Sequence, residues 1–394
     1  MSSAQRRPMW VVLLALALVA VNLRAVLTAI PPLTEQIQAE TGWSDTTIGL
    51  LTTLPLIVMG LAALIVPAVA ARLGRTRAVS FALILLIAAS GLRLLAIWPW
   101  TLFVTTVLAG FGIAIATGLV PGIVREQLPR STGSATGLWT AIMFVGATLA
   151  AALTIPLALL TGSWPIALAV WALPAVAGLV VWTLTERSSA PAAESGPRLV
   201  RITHLPWRDA KAWALTAYIA INSLIFYTAL AWVAPSLEER GWSAEASGGL
   251  FGVFAAAPIL AAVLLPWLGQ RIAARRTLWA ATAIATVIPL LFLAYAPHTA
   301  TLLMLFIFGF ANSGGFTISL SMLSEFVHDA AASARLTAMA FTVTFLLAAA
   351  GPALAGMLLD LTQSWTAVYV ILAVIAVTQI PPMIPLRKGT LINA

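Results

Sequence analysis

"NLRAVLTA", residues 22–29, returns 200 positions later as "NSLIFYTA", residues 222–229, with the Asn and the Thr-Ala pair in register. Working outward, "GWSDTTIG" at Gly42 matches "GWSAEASG" at Gly241, and "PAVAARLGRTR" at Pro67 matches "PWLGQRIAARR" at Pro266. "GFG" at Gly110 matches "GFA" at Gly309, Glu126 matches Glu325, and "SWPIALAV" at Ser163 follows against "SWTAVYVI" at Ser364. One such match is chance; a series in the same order is a duplication. The chain is two copies of one unit, joined head to tail in the same orientation.

Composition says what the unit is made of. With 61% hydrophobic and 9% charged residues, the chain has too little polar surface to face water on all sides. Apolar runs of about 20 residues, the length that crosses ~30 Å of hydrocarbon, recur along it. Twelve are expected, at 9–33, 45–71, 77–97, 99–123, 133–160, 164–185, 211–236, 244–270, 277–296, 299–324, 333–359 and 365–386. The first is too long, and too polar at its far end, for a cleaved signal peptide, so it is expected to remain as helix 1. The sequence has no Cys, which excludes disulfides, thiol nucleophiles and thiolate metal sites.

The net charge of +8 is an orientation signal. If both termini are cytoplasmic, all of the 21 Lys and Arg residues fall on the inner side except Arg24 and Arg93 in the membrane and Arg240 outside. The outer loops carry Glu35, Glu40, Asp45, Glu238, Glu239, Glu245 and Asp360 instead. The basic balance is thus accounted for without nucleic acid, and the expected setting is a bacterial inner membrane with the lipid bilayer as partner. The polar stretch "ERSSAPAAESGPRLVRITHLPWRDAK" reads as a cytoplasmic linker. The expected organisation is a half at 1–185, the linker at 186–210 and a second half at 211–394, acting as a monomer.

Several segments carry a family likeness: "NLRAVLTAIPPL", "GLLTTLPLIVMGL", "GFGIAIATGLVPGIVREQLPR" and "INSLIFYTALAWVAPSLEERGWS". Together with the six-plus-six repeat they resemble the major facilitator transporters, and within them the cyanate and 2-nitroimidazole porters. The resemblance implies an all-α integral membrane protein with twelve transmembrane helices in two pseudo-symmetric six-helix halves. It also implies that helices 1, 4, 7 and 10 line a central cavity and that 3, 6, 9 and 12 stand outside. One departure is plain. The superfamily's loop 2–3 signature reads Gly-x-x-x-Asp-Arg-x-Gly-Arg, whereas this chain has Pro67 for the first Gly and Ala71 for the Asp.

Arg24 is the residue that an apolar helix 1 must explain, because a guanidinium in hydrocarbon costs several kcal/mol or more unless compensated. Every Asp and Glu sits in a loop or at a helix end. Arg24 is therefore either an anion site filled by substrate or a structural group bonded to carbonyls freed by the nearby prolines. Thr28, four residues on, is expected to share its face, and Asn22, two residues back, to make a helix–helix hydrogen bond. Across the repeat, Leu224 stands opposite Arg24, with Tyr227 one turn on. Further candidate contacts are Asn222, Asn312, Trp139 and Thr342. Arg93, five residues before Trp98, either snorkels to the interface or meets substrate.

Other activities lack their residues. No HExxH, GxSxG elbow or acid–His cluster lies at membrane depth, so neither an enzyme, a cofactor nor a metal is expected. Absence of a central carboxylate or His also disfavours coupling through a dedicated buried proton carrier. The expected function is transport of a small anionic or strongly dipolar solute by alternating access; the alternative is export of drug-like aromatic compounds. For the inner gate, Arg72 with Glu126 and Arg271 with Glu325, each pair repeated at an offset of 199, are expected to form ion pairs that brace the halves when the inside is shut.

Overall fold

The computed structural model describes residues 9–96, 98, 100–127, 132–186, 205–271, 275–327, 330–386 and 392. Among these every regular element is helical, as expected for a chain whose backbone polar groups must be satisfied within lipid. Twelve helices are long and apolar enough to span: α1 Leu13–Thr41, α2 Asp45–Ala62, α3 Arg75–Leu95, α4 Thr101–Val120, α5 Leu138–Thr161 and α6 Trp164–Thr185. The second set is α7 Ala210–Glu238, α8 Ala244–Leu265, α9 Thr277–Tyr295, α10 Thr301–Leu320, α11 Arg335–Thr362 and α12 Trp365–Met383. Most of the expected linker, 187–204, lies outside the described residues.

The repeat is visible in how each half turns at its outer end, named for the orientation that the charge bias predicts. Gly42 and Gly241 both take positive φ, 70° and 94°, which a side chain would strain. Trp43 and Trp242 follow, and then Ser44 and Ser243 cap α2 and α8 by accepting from the Thr47 and Ala246 amides at 3.3 and 3.2 Å. A second repeated device ties the end of the first helix to the start of the sixth. Trp164 Nε1 donates to Glu40 at 2.8 Å, and Trp365 Nε1 donates to Glu239, also at 2.8 Å.

The first helix differs from the expected 9–33. Its regular part ends at Thr28, Pro31–Leu33 forms a 3-10 turn, and a further helix runs over Thr34–Thr41. Pro31 and Pro32 remove two amide donors and force the break, but the chain stays helical beyond it instead of leaving the membrane. Helix α7 has no such break.

The halves meet through α2 on α11 and α5 on α8. A Cβ on Gly49 would lie 2.6 Å from the Pro352 carbonyl oxygen, so α2 and α11 touch backbone to backbone. Asp360 accepts from the Asp45 and Thr46 amides, both at 3.1 Å, and from the Thr46 hydroxyl, while Thr53 donates to the Ala349 carbonyl at 2.7 Å. One apolar core runs through both halves. The inner end of the second half has a separate one, built on Leu215, Trp279, Met322, Phe326 and Leu336. Among the described residues the halves are thus locked together on the side of Gly42.

Candidate substrate site

Arg24 lies in the regular part of α1, four residues before its end at Thr28 and well inside the spanning segment Leu13–Thr41. Its Nη1 donates to the Tyr227 hydroxyl at 2.8 Å, a bond from one half to the other. Three rings surround the guanidinium: Phe144 of α5 and Phe226 of α7 with centroids at 5.7 Å, and Tyr227 at 5.5 Å. Each such contact contributes ~0.5–2 kcal/mol, more where water is excluded. Helix α5 can bring Phe144 this close because Gly146 packs on the Val21 carbonyl, where any side chain would collide. The rings continue outward: Phe226 stacks on Phe254 at 5.7 Å, and Tyr227 meets Phe345 edge-on at 6.4 Å. Among the described residues no carboxylate is bonded to Arg24. The cation is held by a neutral hydroxyl and by π faces, an arrangement that leaves its charge unneutralised.

Several expected partners are elsewhere. Thr28 is fully buried, and its hydroxyl turns back to the Arg24 carbonyl at 3.0 Å and toward Ala147 of α5 at 3.2 Å. Sharing a helix face did not put it beside the guanidinium, since a Thr hydroxyl in a helix finds the i−4 carbonyl first. Asn22 likewise bonds within its own helix, to Leu18, and not to a neighbour. Asn222 and Asn312 hold each other: Asn222 Nδ2 donates to the Asn312 carbonyl at 3.0 Å and to Gln379 of α12 at 3.3 Å. They form a buried knot inside the second half, away from Arg24. Trp139 Nε1 and Thr342 Oγ1 are buried atoms with no partner among the described residues.

Arg93 neither snorkels nor reaches the site. It is fully buried, and both terminal nitrogens donate to the Val26 carbonyl at 3.1 Å. Of the gating residues, Arg72 is exposed. The side chains of Glu126, Arg271 and Glu325 lie outside the described residues.

The outer junction gathers the charges that the site lacks. Glu238 faces Glu35 across the halves. Burial there pushes the Glu239 carboxyl above the usual carboxylate range, against the lowering effect of the Trp365 N–H. Arg240 donates to the Leu293 carbonyl of α9 and lies over the Tyr369 ring at 5.4 Å. Sequence reasoning missed the ring cage, because a Phe in a membrane helix carries no signal of its own; the only hint was that Phe226 adjoins Tyr227.

Comparison with known proteins agrees with this picture. The sequence profile of the Major Facilitator Superfamily matches residues 12–331 and 221–386. The 2-nitroimidazole transporter of Escherichia coli K12 is 30% identical over 357 residues, 90% of each chain. The cyanate transport protein CynX of the same organism is 27% identical, over 90% of this chain and 91% of its own. A crystal structure of a D-xylose-proton symporter superposes with a TM-score of 0.81 at 15% identity, covering 97% and 99% of the two chains, which shows the shared fold. A helical chain with twelve candidate spans, whose family and named relatives are transporters, is itself a transporter and not an enzyme. It belongs to the Major Facilitator Superfamily, in the branch of the cyanate and 2-nitroimidazole porters.

Proposed function

We propose that the chain moves a small, planar, anionic or strongly dipolar solute across the bacterial inner membrane by alternating access, with Arg24 and Tyr227 as its grip. The observation that carries this reading is the Arg24 guanidinium within a spanning helix, bonded to a phenol hydroxyl and ringed by Phe144, Phe226 and Tyr227. A carboxylate or nitro group can replace the Tyr227 oxygen and take two parallel N–H bonds, linear cyanate can accept end-on, and a planar body can stack between the rings. Displacing Tyr227 also breaks a bond between the halves, so occupancy and domain movement are linked. That two relatives are named for cyanate and for a nitro-heterocycle supports the reading, since both solutes suit a guanidinium among aromatic faces.

Trp139 and Thr342, with their unpaired polar atoms, remain candidate contacts. The inner ion pairs Arg72–Glu126 and Arg271–Glu325 remain the proposed brace of the inward-closed state. A second reading, export of larger aromatic compounds, is favoured by the ring array from Phe226 through Phe254 to Phe308.

The test is ligand-induced thermal stabilisation of the purified protein by cyanate, 2-nitroimidazole and larger aromatic cations, repeated on Arg24→Lys. Stabilisation follows RT ln(1 + [L]/Kd), so modest binders register. Shifts from the first two probes that vanish in Arg24→Lys support the anion reading. Shifts from the bulky cations alone, unaffected by Arg24→Lys, replace it with the second.

A further inference from the structure

Arg93 has no part in the site, yet it is the most enclosed cation described. It stands at the outer end of α3 with no solvent exposure. Its two terminal nitrogens share one acceptor, the Val26 carbonyl, and its Nε–H has none. Surrounding a cation with a single neutral oxygen is unfavourable, and well-packed apolar replacements of such groups are often neutral or stabilising. Packing α3 against α1 does not require the charge.

The position of the acceptor suggests what does. Val26 follows Arg24 by two residues, which is about 200° around a helix at ~100° per residue. Arg93 therefore grips α1 from behind at the level where Arg24 projects in front. Val26 also belongs to the last turn of the helix Met9–Thr28, just before the proline break, where carbonyls have lost their amide partners. That end carries the negative pole of the helix macrodipole. An anion held by Arg24 sits close to this pole and is repelled by it.

The second half ties the same pair of helices from the opposite side. There the arginine, Arg240, is in the turn that follows the first helix of the half, and the carbonyl, Leu293, is on the third helix. But Arg240 lies beyond the end of α7, at the outer junction next to Glu239. Only in the first half does the clamp stand behind the candidate site.

We propose that Arg93 is a positioning residue for anion binding. It holds the final turn of the broken helix at Val26, so that Arg24 keeps its aim, and its charge offsets the helix-end field that opposes a bound anion. This rests on the reading of Arg24 as the partner of the solute.

The test compares full-length wild type with Arg93→Leu, Arg93→Gln and Arg24→Leu. Hydrogen exchange over residues 24–34 reads the clamp without any ligand. Binding of cyanate, and of benzoate against its neutral isostere benzamide, reads the field. Arg93→Leu is expected to speed exchange over 24–34 and to weaken the anions by roughly tenfold, the scale of a helix-end interaction, with benzamide nearly unchanged. Arg93→Gln, which keeps an N–H for Val26 but loses the charge, should retain slow exchange and still lose the anions. Its more conservative shape keeps the proposal testable if Arg93→Leu does not fold.

Equal weakening of benzoate and benzamide, or unchanged anion binding in both Arg93 variants, overturns the proposal. Arg24→Leu separates the two ideas, since it should abolish anion binding and leave exchange at 26–34 as in wild type. If anions bind Arg24→Leu as well as wild type, the site reading falls, and the field role of Arg93 falls with it.

Discussion

Helices α1 and α7 are counterparts in the repeat and differ most in their central and following turns, at residues 22–33 and 222–233. Helix α7 runs unbroken from Ala210 to Glu238, and its Asn222 is tied to Asn312 and Gln379 in the body of its own half. Helix α1 breaks at Pro31–Pro32, leaves Asn22 bonded only to its own turn, and projects Arg24 where α7 has Leu224. Their outer ends have hardly diverged: both halves keep the Gly turn, the Ser cap and the Glu–Trp clasp at 2.8 Å. The scaffold has stayed symmetric while the centre has specialised, one half supplying the charge and the other the hydroxyl and most of the rings. A solute bound there is held by two unlike surfaces, so it has a preferred orientation.

The largest expected effect comes from moving the charge between the copies. Arg24→Leu combined with Leu224→Arg should lose anion binding by about 100-fold or more, as expected for removal of a bidentate charge-assisted pair, and should not regain it. Restored binding in a direct titration would mean that the halves are interchangeable at their centre. Next is the contact that shuts the outer side. Gly49→Leu puts a side chain against the Pro352 carbonyl, at a cost of ~1–3 kcal/mol to the closed arrangement. Because the chain has no cysteine, a single one introduced at Ile48 reports this as faster thiol labelling.

The clasps should behave as twins. Trp164→Phe and Trp365→Phe each remove one part-buried N–H bond to a glutamate at the outer end, and each should cost about 0.5–1 kcal/mol of unfolding free energy. The two effects should add in the double variant, since the sites are far apart. A clear inequality in denaturant titration would place an asymmetry in the scaffold itself.

The smallest effect is one of pH. Glu239 faces the Trp365 N–H, Asp45, Glu35 and Arg240, and its carboxyl is raised above its unfolded value chiefly by burial. A raised carboxyl binds its proton more tightly in the folded protein than in the unfolded chain. Its contribution therefore favours the fold at low pH and is lost as pH climbs from the ordinary carboxylate value through the raised one. Thermal unfolding should shift upward on acidification over that window, and Glu239→Gln should weaken the dependence.

The membrane class and the repeat could be read from the sequence because both rest on long apolar runs and fixed offsets. The same offset brought Tyr227 to within a turn of the counterpart of Arg24, and the two side chains do meet. What could not be read depended on direction in space. Thr28 shares a face with Arg24 on a helical wheel, but its hydroxyl is captured by the main chain. Asn222 and Asn312 are 90 residues apart, and nothing in their local sequence announces the bond. Arg93 belongs to a helix that the fold places on the periphery, and only the inward approach of its outer end brings it to Val26. The break in α1 was hidden because two prolines before a polar stretch look like the end of a helix.

The latch at the outer junction joins mostly main chain to side chain: the amides of residues 45 and 46 with the Thr46 hydroxyl on one side, the carboxylate of Asp360 on the other. Amide donors survive every substitution except proline, whereas an acceptor at 360 is lost in a single codon change. The mutational target of the lock is thus lopsided. Random mutagenesis selected for variants that open outward should return to position 360 repeatedly, to 46 less often, where a side-chain change removes only the hydroxyl bond, and to 45 chiefly through proline.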